Sequence, residues 1–121
     1  MLSTPTKPAP VDVMFRAFSD RTRLRILHLL RSGEVCVCDL QRVLGVPQAK
    51  VSRHLAYLRR SGLVRARKRG LWSYYTLAPA QNGVHRKLLE CLATCFTQLP
   101  ELARDDARLK RCGCSAPGRC N

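Results

Sequence analysis

The chain has 121 residues, about the length of one domain, and its hydrophobic fraction of 45% supports one modest core. Lysine and arginine number 22 against 8 aspartate and glutamate residues, so the net charge of +14 predicts a partner rich in phosphate or carboxylate groups. No apolar run is long enough to span a membrane, no lysine-rich amphipathic segment favours a membrane surface, and the polar N-terminus lacks the apolar core of a secretion signal, so we expect a cytoplasmic protein.

The first two predicted helices follow a polar, proline-rich segment, residues 1–9, that we expect to be disordered. Apolar residues recur at helical spacing over Val11–Phe18 and predict the first helix. Asp20 then stands at the N-cap position of a second helix over residues 21–31, and Gly33 is expected to end that helix.

Two short helices joined by a glycine-containing turn come next. Residues 34–37 are predicted to be extended, residues 38–44 to form a short helix, and residues 45–47, Gly-Val-Pro, to form the turn. The second short helix covers residues 48–61 and stops at Gly62. This arrangement predicts a helix-turn-helix motif.

The apolar period changes from that of a helix to that of a strand after Gly62. Residues 64–67 alternate apolar and basic side chains, residues 68–70 are predicted as a turn, and the aromatic and β-branched run 72–77 is predicted as a second strand. A basic hairpin after a helix-turn-helix indicates a winged helix. The predicted fold class is therefore mainly α with a β-hairpin wing.

One long helix is predicted to follow the wing. Its apolar residues lie on a single stripe: Val84, Leu88, Cys91, Leu92, Cys95, Phe96 and Leu99. Because a small domain has little left to cover that stripe, we expect it to form the interface of a homodimer. Residues 10–100 would be one DNA-binding and dimerisation domain, and residues 101–121 a cysteine-rich tail with a short helix at its start.

The charge distribution favours nucleic-acid binding, since no acidic residue occurs from Gln41 to Leu89, across the helix-turn-helix and the wing. The second helix of a helix-turn-helix enters the major groove of DNA. With Val51 and Leu55 facing inward, its outward residues are Gln48, Ala49, Lys50, Ser52, Arg53 and His54. For His54 alone, packing explains the residue as well as a phosphate contact does.

The wing is predicted to contact the DNA backbone or the minor groove. Its basic residues are Arg65, Arg67, Lys68 and Arg69. A dimer would present two recognition helices, which predicts a palindromic site in double-stranded DNA.

Seven cysteines, an odd number, in a reducing compartment favour metal binding, redox chemistry or burial over a disulfide framework. Cys36 and Cys38 lie at the start of the first helix of the motif, where the helix dipole is expected to lower their thiol pKa values. Thiolate pairs suit soft ions. Residues i and i+2 of a helix point about 200° apart, so both sulfur atoms can bind one ion only if the helix start unwinds or Cys36 precedes the helix. Binding would then deform the support of the recognition helix and weaken DNA binding.

Several motifs over about residues 10–99 resemble, in order and spacing, the ArsR/SmtB family of metal-sensing repressors. They are Phe15-Arg16-Ala17-Phe18-Ser19-Asp20 with Arg23 and Arg25-Ile26-Leu27, then Glu34-Val35-Cys36-Val37-Cys38-Asp39-Leu40, Val51-Ser52-Arg53-His54-Leu55, Ser61-Gly62-Leu63-Val64, and Arg69-Gly70 with Tyr75-Thr76-Leu77. The resemblance implies a winged-helix homodimer with the first and last helices at its interface. It also implies a repressor of an arsenic or metal resistance operon that leaves DNA when As(III) or Sb(III) binds. We expect no enzymatic activity, since the sequence has no Cys-x-x-Cys motif and no base positioned by a motif, and we expect no organic cofactor.

The same resemblance carries over Cys36 and Cys38 as ion ligands, and it carries over a set of recognition-helix residues: Gln48, Ser52, Arg53 and His54. Arsenite sensors of the family often have a third cysteine directly after the Asp-Leu of this segment, where this chain has Gln41.

Either the tail supplies a third ligand, where the candidates are Cys112 and Cys114, and less favourably Cys120, or the ion keeps a solvent ligand. A separate site could combine Cys91 and Cys95 with the tail cysteines, although both residues also suit an apolar interface. The inducer stays open among As(III), Sb(III), methylated arsenite, cadmium and lead. A thiol-based redox or reactive-sulfur switch on the same fold is the main alternative, and a DNA-binding protein with inert cysteines is another.

Overall fold

The computed structural model describes residues 9–96 and 99–112 of the chain. The helices and strands of this part are α1 (Val11–Phe18), α2 (Arg21–Leu29, continued by a 3-10 turn, Leu30–Ser32), β1 (Val35–Cys36), α3 (Val37–Leu44), α4 (Gln48–Arg60), β2 (Val64–Arg69), β3 (Trp72–Leu77), α5 (Gly83–Thr94) and α6 (Pro100–Cys112). Up to the wing, each predicted helix is present within about two residues of its predicted ends. None of the described helices is long and apolar enough to cross a membrane.

The residues predicted to begin and end helices do so in the structure. The side chain of Asp20 accepts a hydrogen bond of 3.0 Å from the backbone N–H of Arg23, which caps α2. Gly45 ends α3 in the left-handed conformation, with φ of 67°, and its N–H bonds to the carbonyl of Gln41. A residue with a Cβ atom would be strained at that φ, so the turn between α3 and α4 depends on this glycine.

A single apolar core fixes α4 against α2 and α3. The inward residues of α4, Val51, Leu55 and Leu58, are almost fully buried, as are Ile26 of α2 and Leu40 of α3. Burial of such side chains contributes about 1.5–3 kcal/mol each. The core therefore determines which side of α4 faces away from the protein.

The three strands form one antiparallel sheet in the order β1-β3-β2. The sequence predicts the hairpin of β2 and β3, but the predicted turn over residues 68–70 is wrong. Arg69 pairs with Trp72, so the turn consists of Gly70 and Leu71, with Gly70 at φ of 64°. Residues 68–69 have the composition of a loop but continue β2. The chain reverses only at Gly70, which takes the left-handed conformation.

The predicted helix over residues 84–99 is also wrong in length. Helix α5 ends at Thr94, and Leu99 lies outside it, directly before α6. Leu88 and Leu92 are buried within this protomer, and Phe96 packs against the core. The apolar stripe is thus covered in part by the chain itself, which the sequence pattern alone does not reveal.

Helix α6 packs against α2 and α3. The carboxylate of Asp105 accepts two hydrogen bonds from Arg25, of 2.8 and 2.9 Å, and Asp106 lies 2.8 Å from His28 Nε2. Arg108 donates to the carbonyl of Val43 at 3.0 Å. The predicted short helix after residue 100 is therefore present and belongs to the same packed body, whereas the rest of the predicted tail, residues 113–121, and the predicted disordered residues 1–8 lie outside the described residues.

Candidate DNA-binding surface and thiol site

Polar and basic side chains cover the outer side of α4. Four predicted recognition residues, Gln48, Lys50, Ser52 and Arg53, are exposed there together with Ala49. Pro47 at the N-cap supplies no side-chain acceptor to the helix start. The first turn of α4 therefore presents polar side chains and the positive end of the helix dipole on the same surface.

His54 lies apart from that surface. Its side chain is only 14% exposed, with Nε2 3.8 Å from the carboxylate of Asp20 and Nδ1 3.5 Å from the guanidinium of Arg23. Burial lowers the pKa of His54, although Asp20 acts in the opposite direction. The packing interpretation suits this position, and a DNA contact by His54 stays a prediction.

Arg23 holds the helices around α4 together, a role that the sequence does not reveal. Its guanidinium donates hydrogen bonds to the carbonyls of Arg16 and Ala17, at 2.8 and 3.1 Å, at the end of α1. The same group lies 4.3 Å from the ring centre of Tyr57 on α4. One side chain thus satisfies terminal carbonyls of α1 and orients α4 relative to them.

The four basic residues of the wing, Arg65, Arg67, Lys68 and Arg69, are all exposed on β2. Glu34, directly before β1, accepts two hydrogen bonds from Arg67, one of them 2.7 Å long, and lies 3.5 Å from Arg69. The bond from Arg67 holds the pKa of Glu34 below its ordinary value. The ionised carboxylate of Glu34 therefore offsets part of the positive charge of the wing. The sequence places Glu34 before β1 but does not reveal that it pairs with Arg67.

The two cysteines at the start of α3 converge. Cys36 lies in β1 and occupies the N-cap position of α3 with extended backbone, φ −70° and ψ 142°, whereas Cys38 lies in the first turn. Their sulfur atoms are 2.8 Å apart. Cys36 thus precedes the helix, which is one of the two alternative arrangements in which both sulfur atoms could bind one ion. We call Cys36 and Cys38 the thiol pair. Their role as ligands stays a prediction.

Burial raises the pKa of the Cys36 thiol, a side chain that is 0% exposed. Backbone N–H groups of Cys38 and Asp39 oppose this shift, and the carboxylate of Asp39 reinforces it. The expectation of a lowered pKa is therefore wrong for Cys36, because loss of solvent outweighs the helix start. Tyr74 and Trp72 of β3 pack around the pair and account for the burial.

A groove of about 830 Å³ opens beside Cys38. Its walls come from α3, from the start of α4 and from the tip of the wing. They include Val37, Cys38, Gln41, Val46, Gln48, Leu71 and Trp72. Trp72 is the only tryptophan of the chain, so its fluorescence reports on this groove alone.

Among the described side chains, no further cysteine lies beside the thiol pair as a third ligand. Cys91 is half-buried and Cys95 exposed, one turn apart on α5, and a hydrogen bond from the Cys95 thiol raises the pKa of Cys91. Cys112 ends α6, and Cys114 and Cys120 lie outside the described residues. Among residues 9–96 and 99–112, no three His, Cys, Asp or Glu side chains lie together in a way that could hold a metal ion.

Sequence comparisons relate the chain to known regulators. The profile of a family described as "Bacterial regulatory protein, arsR family" matches residues 20–66. An "Arsenical resistance operon repressor" from Escherichia coli K12 is 52% identical over 67 residues, which cover 54% of this chain and 57% of that protein. The "Arsenic resistance transcriptional regulator ArsR2" of Pseudomonas putida KT2440 is 49% identical over 81 residues, 65% of this chain and 70% of that protein. A "Cadmium resistance transcriptional regulatory protein CadC homolog" from Staphylococcus aureus is 40% identical over 74 residues, 59% and 61% of the two chains. The chain spans somewhat more than half the length of the first of these relatives.

Solved structures confirm the winged-helix fold class. Reduced HlyU from Vibrio cholerae superposes with a TM-score of 0.63 at 34% identity, over 72% of this chain and 88% of that one. A homodimeric winged helix-turn-helix DNA-binding domain from Mycobacterium bovis gives a TM-score of 0.58 at 33% identity, over 69% and 77% of the two chains.

The burial of Cys36 makes its reactivity testable. We expect iodoacetamide at pH 8 to alkylate Cys36 at least about tenfold more slowly than the exposed Cys95, because the buried thiol is less ionised and less accessible. Mass spectrometry of a Cys38→Ser variant, in which the tryptic peptide 32–42 holds only Cys36, measures the rate. Equal rates for Cys36 and Cys95 would contradict the raised pKa.

Proposed function

The chain belongs to the ArsR family of bacterial regulatory proteins, and we propose that it is a transcriptional repressor that leaves its operator DNA when a thiophilic ion, As(III) or Sb(III), binds the thiol pair. The observation that carries this proposal is the position of that pair. Cys36 is paired with Tyr74 of the wing strand β3, and Cys38 lies on α3, which packs against α4. The pair is therefore connected to the wing through the pairing of β1 with β3, and to α4 through the packing of α3 against it.

The DNA-binding surface combines α4 with the wing. The polar face of Gln48, Lys50, Ser52 and Arg53 suits the major groove, where glutamine matches adenine and arginine matches guanine. The basic side chains of β2 suit phosphates beside it. This division assigns sequence preference to α4 and affinity, with its salt dependence, to the wing.

A homodimer would place two such surfaces on a palindromic operator. Val11 and Phe15 of α1, one turn apart, are 51% and 55% exposed, an apolar pair that an isolated protomer leaves in water. The related domain from Mycobacterium bovis, described above as homodimeric, supports the same assembly. We therefore propose that α1 contributes to the interface, with the exposed side of α5 beside it.

Release from DNA follows from the geometry of the thiol pair. Two bonds of about 2.3 Å from one ion to the two sulfur atoms would hold those atoms further apart than the 2.8 Å of the structure. Cys36 is held in the sheet on one side, so the added separation acts on α3 or on the pairing of β1 with β3. Either change alters the position of α4 relative to the wing and weakens a surface that must fit DNA as a whole.

Arsenic is favoured as the inducing element by the soft thiol donors and by the arsenical resistance regulators to which the chain is similar. Cadmium binds thiolates as well and is the second ion to be tried. A third thiolate would come from Cys112, Cys114 or Cys120. Arg108, one turn before Cys112, bonds to α3, so α6 runs towards the helix that carries Cys38.

The ion pairs of Glu34 predict a gain in DNA affinity. Replacement of Glu34 by Gln removes the carboxylate that restrains Arg67 and Arg69, so DNA binding should tighten several-fold at low salt. The slope of log affinity against log salt should steepen by up to about 0.9 for each arginine that gains a phosphate contact. Fluorescence anisotropy on operator DNA over a salt series measures both quantities.

The matched control for that experiment is Glu90→Gln, which changes the net charge equally but breaks only an exposed pair with Lys87 on α5. Equal behaviour of the two variants would mean that Arg67 and Arg69 do not meet DNA.

The thiol pair predicts a variant that binds DNA but does not respond. Cys36→Ser combined with Cys38→Ser should keep operator affinity within about threefold, since neither thiol lies on the outer face of α4, and should abolish release by arsenite. Anisotropy under reducing conditions, with and without arsenite or cadmium, checks this. The control is Cys91→Ser with Cys95→Ser, which should respond as the unaltered chain does. Persistent release from the first variant would place the ligand elsewhere, and loss of DNA binding without ligand would make these thiols structural.

A further inference from the structure

We propose that α6 is a third DNA-contacting element, in addition to α4 and the wing, and that its basic face binds phosphates of the DNA backbone. This basic face consists of Arg104, Arg108 and Arg111, and Arg42 of α3 adjoins it. The inference rests on the DNA binding of the proposed function and extends the DNA-binding surface beyond the helix-turn-helix and the wing.

Helix α6 carries its acidic and basic residues on different sides. Its carboxylates pair with basic side chains of α2, in the pairs Glu101–Arg21 at 2.6 Å, Asp105–Arg25 at 2.8 Å and Asp106–His28 at 2.8 Å. Arg104, Arg108 and Arg111 follow one another at i, i+4 and i+7, a spacing that places them on one side of a helix, and all three are exposed. The acidic side of α6 thus serves the packing on α2, whereas the basic face stays in contact with solvent.

One bond fixes this basic face against the end of α3. Arg108 donates a hydrogen bond of 3.0 Å to the carbonyl of Val43, in the last turn of α3, where carbonyl groups lack partners within the helix. A guanidinium group has five N–H donors, so this bond leaves others for an anion. The basic face therefore has a defined position next to the helix-turn-helix.

A cavity of about 290 Å³ opens where α6 meets α3, bordered by Arg42, Val43, Arg108 and Arg111. Because like charges repel, an anion placed among these guanidinium groups would be stabilised. The planar guanidinium group matches a phosphate with two parallel hydrogen bonds. The chemistry of the cavity therefore favours a phosphate.

Arg42 makes the basic face continuous with the recognition surface. It also borders the groove beside Cys38, where Gln48, the first residue of α4, lies as well. The first helix of a helix-turn-helix crosses the DNA backbone while the second lies in the major groove. A backbone that passes α3 therefore meets Arg42 and, beside it, the basic face of α6.

The length of the basic face favours a row of phosphates over a single ion. From Arg104 to Arg111 the helix rises about 10 Å, which is longer than one phosphate group. Double-stranded DNA supplies such a row along each strand. A free phosphate or nucleotide would occupy only part of the face.

The test replaces Arg104 and Arg111 together by Gln. Arg108 keeps its bond to Val43, and glutamine is a good helix former, so α6 should stay folded and docked. At about 0.1 M salt, DNA binding should weaken at least about fivefold, and the slope of log affinity against log salt should flatten by up to about 0.9 for each arginine. Fluorescence anisotropy of the reduced full chain over a salt series measures both. Operator DNA and a scrambled duplex of equal length should lose affinity by the same factor, because phosphate contacts carry no sequence information.

The matched control is Arg31→Gln with Lys110→Gln, which removes the same charge. Both residues are exposed and border a different cavity, beside His28 on the α2 side of α6. This variant should bind DNA within about twofold of the unaltered chain, since charges further than about 10 Å from the DNA are screened at this salt. Unchanged affinity and slope in the Arg104 and Arg111 variant, or equal losses in both variants, would overturn the inference.

Two further measurements separate the remaining outcomes. Calorimetry with inorganic phosphate tests the free anion, and binding of phosphate to the unaltered chain with no effect of the variant on DNA affinity would replace DNA by a small anion as the ligand. Release by arsenite should be equal in all three proteins. If the unaltered chain binds DNA and ignores arsenite, the proposed ion response fails, while the two variants still decide the role of α6. If arsenite releases all three and their affinities are equal, the inference about α6 alone fails, and absence of DNA binding by the unaltered chain would overturn both.

Discussion

The pairing of β1 with β3 is the constraint on which the rest of this structure depends. It consists of two residue pairs, Val35 with Tyr75 and Cys36 with Tyr74. Because Cys36 is held in this ladder, it precedes α3 instead of joining it, and its sulfur can meet that of Cys38. The same ladder ties the start of α3 to the wing. Under the proposed function, an ion bound by the thiol pair would therefore also act on the wing.

A few polar side chains outside α4 make the contacts that hold the helices around it and the wing in place. Arg23 satisfies the last carbonyls of α1 and lies against Tyr57 of α4, and Glu34 holds Arg67 of the wing beside β1. Asp105 of α6 fixes α2 through Arg25. The contacts of Arg23 and Asp105 orient the helices around α4 before DNA is met, which lowers the cost of ordering them on binding.

The sequence predicts much of this fold because its signals are local. Asp20, Gly33, Gly45 and Gly62 mark helix ends by capping and backbone geometry, and the change of apolar period after Gly62 marks the wing. What it misses depends on distant partners. The register of β2 extends to Arg69 because Trp72 pairs with it, and α5 stops at Thr94 with its apolar side partly covered by the same protomer.

The candidate site likewise has features that the local sequence predicts and features that depend on distant parts of the chain. The outward residues of α4 and the positions of Cys36 and Cys38 follow from spacing. The raised pKa of Cys36, the seclusion of His54, the restraint of Arg67 by Glu34 and the groove at Trp72 arise from elements far apart in the chain, so no local pattern contains them. Only the tertiary structure shows that the thiols, the wing and the start of α4 share one place.

Hydrogen exchange of the backbone amides, with and without one equivalent of arsenite, tests the coupling of the thiol pair to the wing most directly. The account predicts that exchange changes in β1, in the first turn of α3 and at residues 72–75 of β3, with the start of α4 affected next. Changes confined to α5 and α6, with the amides of Cys36, Tyr74 and Tyr75 unaltered, would contradict it.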